Sequence, residues 1–284
     1  MKKWNLVIDV DLCNNCANCQ LATMDEYARN DFPGYSDRAP DSGAPWIQIE
    51  RIDRGQGTHV DVTYVPQMCN HCDAAPCGAG RDPAVQKRSD GIVLLVPELA
   101  RGRTDLVEKC PYGAIHWNEQ ARVPQLWNFD AHLLDAGWQQ PRCAHACPTG
   151  AMAAHRCSDE EMTALALQEK LQPVSGTLDT RPRVYYKNLF RRTSRFIAAT
   201  LVGERHGVLE CLKGVQVKLI LGTSTVQEAV TDCFGDFKFD RLPAHDEVYG
   251  LLAELDGFHS LSISAALQQS GLNLGELKLQ CTHA

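Results

Sequence analysis

"CNNCANCQLAT", residues 13–23, decides how the greater part of this chain is read. Cys13, Cys16 and Cys19 follow one another at two-residue gaps, and Thr23 stands where a fourth cysteine would fall due. The run is that of a bacterial-type iron–sulfur ligand loop, C-x2-C-x2-C-x3-C-P, whose fourth cysteine ligates a different cluster from the first three. Thr23 is therefore no lost ligand of its own run. The fourth thiolate for Cys13, Cys16 and Cys19 must come from a distant stretch, and it should be followed by proline.

Working outward, "CNHCDAAPC" supplies a second trio, Cys69, Cys72 and Cys77. "KCPYGA" contributes Cys110, and "CAHACPTGA" contributes Cys143 and Cys147. Only Cys110 and Cys147 precede a proline, at Pro111 and Pro148. A cubane 4Fe–4S cluster takes four thiolates at the corners of a tetrahedron, so a tight loop supplies three and a remote residue the last. The expected sets are Cys13, Cys16, Cys19 with Cys147, and Cys69, Cys72, Cys77 with Cys110, nested outer with outer and inner with inner. Structural zinc is the bland alternative, since four thiolates also close a zinc site. A Rieske centre would need two histidines among the ligands. His71 and His145 lie inside the loops, but the cysteine sets are already full, which leaves them to hydrogen-bond sulfur or backbone. Arg81, Arg103 and Lys109 are surface charges or cations that favour a reduced cluster.

Thirteen cysteines in 284 residues and 31.4 kDa fit metal ligation better than disulfides, because the count is odd and ten lie in clumps before residue 160. The N-terminal "MKKWNLVIDVDLC" reads as a first strand and not as a signal peptide, since Asp9 and Asp11 break its apolar stretch. Cytoplasmic location is the expectation. At 44% hydrophobic residues no apolar run approaches a membrane span, and a net charge of −7 disfavours nucleic acid or an anionic bilayer as partner.

The chain is long enough for two domains. "NLVIDV" (5–10), "HVDVTYV" (59–65) and "GIVLLV" (91–96) read as short strands punctuated by Gly, Pro and Cys. Ser158 with Glu161 three residues on predicts a capped helix over 158–172, with Met162, Leu165, Leu167 and Leu171 as its apolar residues. From about residue 207 the pattern is β: "GVQVKLIL" (214–221) alternates, and "DCFGDFKFDRLP" (232–243) turns at Gly-Asp. The expectation is an α+β chain, with two ferredoxin-like iron–sulfur units over 1–200 and a small β-sandwich over 201–284. Cys157, Cys211, Cys233 and Cys281 are expected as buried small hydrophobes. No Ser–His–Asp or Cys–His arrangement and no glycine-rich phosphate cradle stands out.

With these motifs in view the chain resembles the electron-transfer subunits that accompany molybdopterin enzymes of the dimethyl-sulfoxide-reductase superfamily. "DEYARNDFPGY" (25–35), "CPYGAIHWNE" (110–119), "AHLLDAGW" (131–138) and "PRVYYKNLFR" (182–191) look like the small subunits of pyrogallol–phloroglucinol transhydroxylase and resorcinol hydroxylase. "TDCFGDFKFDRLP" (231–243) resembles a transthyretin-like or carboxypeptidase-regulatory-like sandwich. The resemblance implies a heteromer with a large molybdopterin-binding subunit that holds the substrate site for phenolic aromatics, and no substrate site here. It also implies four clusters, from which this chain departs. One further cluster would need cysteines at Arg81, Ala100, Arg103 and Leu106. Another would need them at Thr23, Trp127, Asp130 and Cys143, where only Cys143 is a thiol. Two 4Fe–4S clusters are therefore expected, with a longer electron hop between them. A subunit whose clusters only scaffold the assembly, or one that serves a different molybdopterin reductase or dehydrogenase, is the alternative.

Overall fold

A computed structural model describes residues 1–205, 207–267 and 271–282. The chain divides into two compact units: Met1–Arg51 with Tyr64–Leu189, and Ile52–Thr63 with Phe190–Ala284. No helix among the described residues is long and apolar enough to cross a membrane.

The first unit is organised on strand Lys3–Asp9, paired antiparallel with Met152–Cys157 and parallel with Val184–Lys187. The register Lys3↔Cys157 to Ile8↔Met152 ties the start of the chain to a segment some 150 residues away. Leu6 and Ile8 are fully buried, and so is the polar Asn5, whose side-chain oxygen accepts from Arg183 Nη1 at 3.2 Å. Two short antiparallel ribbons, Val85–Lys87 with Val93–Leu95 and His116–Asn118 with Val123–Gln125, fill the loop-rich middle. The helix foreseen from its capping box spans Asp159–Glu169. Ser158 Oγ accepts from Glu161 N, and Glu161 reaches back to Ser158 N at 2.8 Å. Met162 is buried, but Leu167, five residues on and so about 140° around the helix, points to solvent.

The second unit is a sandwich of two four-stranded sheets. One is built on Arg195–Arg205, which pairs with Val208–Cys211, Asp236–Leu242 and, in parallel, Leu272–Leu279. The other runs in the order Ser224–Val230, Gln216–Leu221, Glu247–Glu254 and Leu261–Leu267, all antiparallel. The alternation read in 214–221 puts Val215, Val217 and Leu219 inward, where they share one core with Phe237, Phe239, Ile197, Leu201 and Leu251. Gly203 must lack a side chain, because a Cβ there would lie 2.6 Å from the Phe258 ring.

Three expectations are corrected. A boundary at 200/201 would cut strand Arg195–Arg205. The units divide at Leu189/Phe190 instead, because "RFIAATLV" is buried on both faces and shows no alternation to mark it as a strand. The hairpin Gln48–Gln56/His59–Gln67 sends residues 52–63 into the second unit, which no pattern announced. Cys211 and Cys233 are exposed and Cys281 is partly so, since the first lies on a solvated edge strand and the second in the 232–235 turn. Cys157 is half-buried and accepts from Asn5 Nδ2 at 3.6 Å.

Arg54 is the buried ion of the sandwich unit. It pairs with Asp61 and donates to Asp240 Oδ1 at 3.1 Å, while Arg191 pairs with Asp61 and Lys238 with Asp240 at 2.9 Å. Burial pushes both carboxyls up, but these cations outweigh it and hold Asp61 and Asp240 below the ordinary range. A depressed native pKa contributes stability that is complete above the unfolded value, about 3.9 for Asp, and is lost as the pH falls through the native value. Denaturant titrations of this unit's unfolding should thus show a flat midpoint above about pH 5 and a falling one below about pH 4. Asp61→Asn should flatten that fall; an unchanged slope would deny the pair its role.

Candidate metal centres

Antiparallel pairing explains how Cys147 reaches the first trio. The loop that leaves strand Lys3–Asp9 and the loop that enters strand Met152–Cys157 emerge at the same end of the sheet, closed by Asp9 N donating to Ala151 O at 2.8 Å. The first loop bends through positive φ at Asn15 and Ala17, with Asn14 Oδ1 accepting from Cys16 N at 3.2 Å, before Cys19 enters helix Asn18–Tyr27. The second loop follows helix Arg142–His145 and is joined to the first by Asn18 Nδ2 to Ala146 O at 3.5 Å. Cys13 and Cys19 both feel the charge of Cys147 and of Cys16. Burial, with those charges, pushes Cys13 up and Cys19 to about 12. Cys147 goes the other way. Burial opposes it, but the Thr149 hydroxyl and the N–H groups of Met152, Thr149 and Ala151 hold its thiolate down.

The second quartet forms between the loop after strand His59–Gln67 and the turn after helix Asp105–Glu108. Cys69, Cys72 and Cys77 each feel the charge of Cys110. Burial drives Cys69 well above the thiol range and Cys72 to about 11. Ala114 N donates to Cys110 Sγ at 3.4 Å. Lys87 ties the Cys72 loop down, donating to His71 O at 2.8 Å, Cys72 O at 3.1 Å and Gly91 O at 2.8 Å. It also pairs with Asp73, which Arg183 grips as well; burial opposes these cations, yet together they hold the Asp73 carboxyl at about 2. Lys87 and Thr180, whose hydroxyl serves Cys72 and meets Tyr112 Oη at 2.6 Å, were not marked out by the sequence. Neither lies in a cysteine run, and only tertiary folding brings them there. The cations that were marked are spent on neighbours: Arg103 and Lys109 on Asp82 and Asp105, Arg81 on Ala75 O.

The donor set fits iron–sulfur clusters. Cys13, Cys19, Cys69, Cys72 and Cys77 are buried against ionisation, and a positively charged core is what would hold them as thiolates. Among the described residues no three His, Cys, Asp or Glu side chains converge on a single-ion position. A cubane does not require that convergence, because each thiolate binds a different iron.

The positions expected to have lost clusters are filled with packing. Ala100 and Leu106 are fully buried in one apolar core with Val85, Val93, Ile115 and Leu126. Trp127 is fully buried and stacks on Phe129 at 4.7 Å, with the His71 ring edge-on to both at 5.3 and 5.4 Å. His71 Nδ1 accepts from Val93 N at 3.0 Å and sits 3.9 Å from Cys69 Sγ. His145 is exposed, with its ring centre 5.7 Å from that of Trp138. Thr23 donates to Cys19 O at 3.0 Å within its helix. Asp130 accepts from Arg142 N at 2.8 Å and from Tyr27 Oη at 3.1 Å, with Cys143 buried beside it.

Residues 60–156 match a family model described as a 4Fe-4S dicluster domain. The arsenate respiratory reductase iron-sulfur subunit of Shewanella sp. (strain ANA-3) is 32% identical over 48% of this chain and 53% of its own. The thiosulfate reductase electron transfer subunit of Salmonella typhi is 28% identical over 52% of this chain and 74% of its own. The class is thus that of the iron–sulfur electron-transfer subunits of molybdopterin enzymes. The pyrogallol hydroxytransferase small subunit of Pelobacter acidigallici is 38% identical over 98% of this chain and the whole of its own length. This chain belongs to the family of that small subunit.

Proposed function

We propose that this chain holds two cubane 4Fe–4S clusters, one on Cys13, Cys16, Cys19 and Cys147 and the other on Cys69, Cys72, Cys77 and Cys110. It serves as the non-catalytic, electron-transferring subunit of a heteromeric, cytoplasmic enzyme. The large partner carries the molybdopterin and the site for hydroxylation or transhydroxylation of phenolic rings. The observation that carries this reading is that each trio shares its electrostatic environment with one remote Cys-Pro thiol.

A bound cubane supplies one-electron transfer at a potential set by hydrogen bonding and burial. The chain's residues set those conditions. Backbone N–H groups at Cys147 and Cys110 offset sulfur charge, Lys87 brings a cation under the second loop, and Trp127 with Phe129 keeps water from the space beside His71. Cys16 is exposed, and Leu12, Leu21 and Met24 around its loop are exposed too. Leu21 and Met24 line an open groove of about 880 Å³ that is also walled by Pro40, Pro45 and Trp46. A large subunit seated there would cover this apolar rim and bring its own redox centre within a short hop of the first cluster.

Iron and acid-labile sulfide in the purified complex test the cofactor, with about eight of each expected for this chain from two cubanes. Zinc without sulfide would overturn it. A redox titration run alongside turnover tests the role: a relay shows at least one cluster changing state, whereas clusters that never change would make the subunit a scaffold.

A further inference from the structure

Behind the first quartet lies a connected set of polar side chains that metal ligation leaves unused. Asp130 is wholly buried, yet a hydrogen-bonded path leads from it towards the surface. Tyr27 Oη lies 3.1 Å from Asp130 Oδ1 and 3.4 Å from His132 Nδ1, and it also meets Asn128 Oδ1 at 2.5 Å. His132 Nε2 lies 2.9 Å from Glu26 Oε1. Glu26 pairs with Arg142, which reaches the well-exposed Asp25 at 3.1 Å. On the other side of Asp130 sits the buried Cys143 thiol, which feels the charges of Asp130, Cys19 and Cys147 alike. Cys143 is thus coupled to Asp130 on one hand and to two thiols of the first quartet on the other, and the carboxylate is connected by hydrogen bonds to the edge of the unit.

We infer that Asp130 takes up a proton when the Cys13–Cys16–Cys19–Cys147 cluster is reduced, delivered along Glu26, His132 and Tyr27. The inference rests on the ligand set proposed above for that cluster. The accounting balances. The cluster gains one electron from the partner's redox centre, and one proton enters from solvent at Glu26 to replace the one that His132 passes to Tyr27 Oη as the Tyr27 hydroxyl proton moves to Asp130 Oδ1. The buried region then gains no net charge, which removes most of the Coulomb cost of putting an electron in a poorly solvated place.

The charged and titratable groups that face Asp130 act in both directions. From helix Asn18–Tyr27 come Glu26, which disfavours its anion, and the Tyr27 hydroxyl, which favours it. His132 on helix Ala131–Asp135 and the backbone N–H of Arg142 favour the anion as well, and Cys143 adjoins it. Burial outweighs the favourable contacts and holds the carboxyl above its ordinary range. Glu26 is the opposite case: burial raises it, but His132 and Arg142 bring it below the usual value, so it stays an ionised entry point.

The test is a spectroscopic redox titration of the intact complex at several pH values. The first cluster is identified as the signal that disappears in Cys147→Ser. Its potential should fall with rising pH at up to about 59 mV per unit, the one-electron equivalent of a tenfold change in proton activity. Asp130→Asn should bind the same iron and sulfide and lose the slope. Reduction-minus-oxidation infrared spectra of the unaltered protein supply a measurement that needs no variant, since a protonated carboxylic-acid band should appear on reduction. A flat wild-type potential, an unchanged slope in Asp130→Asn or the absence of that band would overturn the inference. Iron content unaffected by Cys147→Ser would instead overturn the ligand assignment beneath it.

Discussion

Replacing Cys147 by serine should remove about half of the iron and sulfide, four of about eight atoms of each, while replacing Cys143, four residues earlier, should remove none. The two thiols sit on the same short stretch and differ in what surrounds them. Cys147 has the Thr149 hydroxyl and three backbone N–H groups arranged to hold a thiolate, and its charge acts on Cys13 and Cys19. Cys143 is fully buried against Asp130, and that burial drives its thiol well above the ordinary range. Cys143 has no trio of its own to complete, since Thr23, Trp127 and Asp130 stand where further thiolates would be needed, and serine is nearly its isostere. A serine at 147 would have to bind iron as an alkoxide, which the same donors cannot stabilise enough at neutral pH. Because ligand binding is coupled to folding of the loops that supply it, Cys147→Ser should also make residues 10–19 more susceptible to protease. Iron, sulfide and visible absorbance of both variants decide the matter, and the reverse ranking would end the assignment.

Covalent spacing and local hydrogen bonding explain what the sequence disclosed. The trio spacing and the two Cys-Pro pairs are properties of the chain alone, as is the Ser158–Glu161 box, and all lie where the structure has a loop or helix start to use them. The sandwich strand 214–221 was legible because one of its faces is solvated. Strand Arg195–Arg205 was not, because burial on both faces erases the period of two. The insertion of residues 52–63 was hidden for a different reason: a hairpin pattern states that two strands pair, and says nothing of which unit their tip joins. The same limit hid Lys87, Thr180 and the path from Glu26 to Asp130. Each acts on a residue outside its own local pattern, as Lys87 does on Cys72 at a separation of 15 residues, and nothing local marks a lysine as the one that will sit beneath a metal loop. The exposed Cys211 and Cys233 show the converse, since burial is the usual fate of a lone cysteine but a solvated edge or turn overrides it.

Trp127→Ala should cost about 3–5 kcal/mol, the range for truncating a fully buried tryptophan. An aromatic plug fills this position. Trp127 stacks on Phe129, Phe129 lies 6.0 Å from Trp4 on the central strand, and His71 is held edge-on against both rings. Removing the indole leaves a void with no cluster to fill it, because Thr23 is bonded to its own helix and Asp130 to Tyr27 and Arg142. The cavity term should therefore be felt nearly in full. Loss of the ring also frees His71, whose Nε2 has no hydrogen-bond partner among the described residues and whose other nitrogen sits beside Cys69. The second cluster should then be released at lower denaturant than in the wild type, ahead of any change at the sandwich. Trp127→Phe, which keeps an aromatic ring at the site, should recover most of the loss. Parallel denaturation curves read by cluster absorbance and by far-ultraviolet dichroism check this, and an unshifted midpoint in Trp127→Ala would mean that the aromatic plug bears no part of the fold's stability.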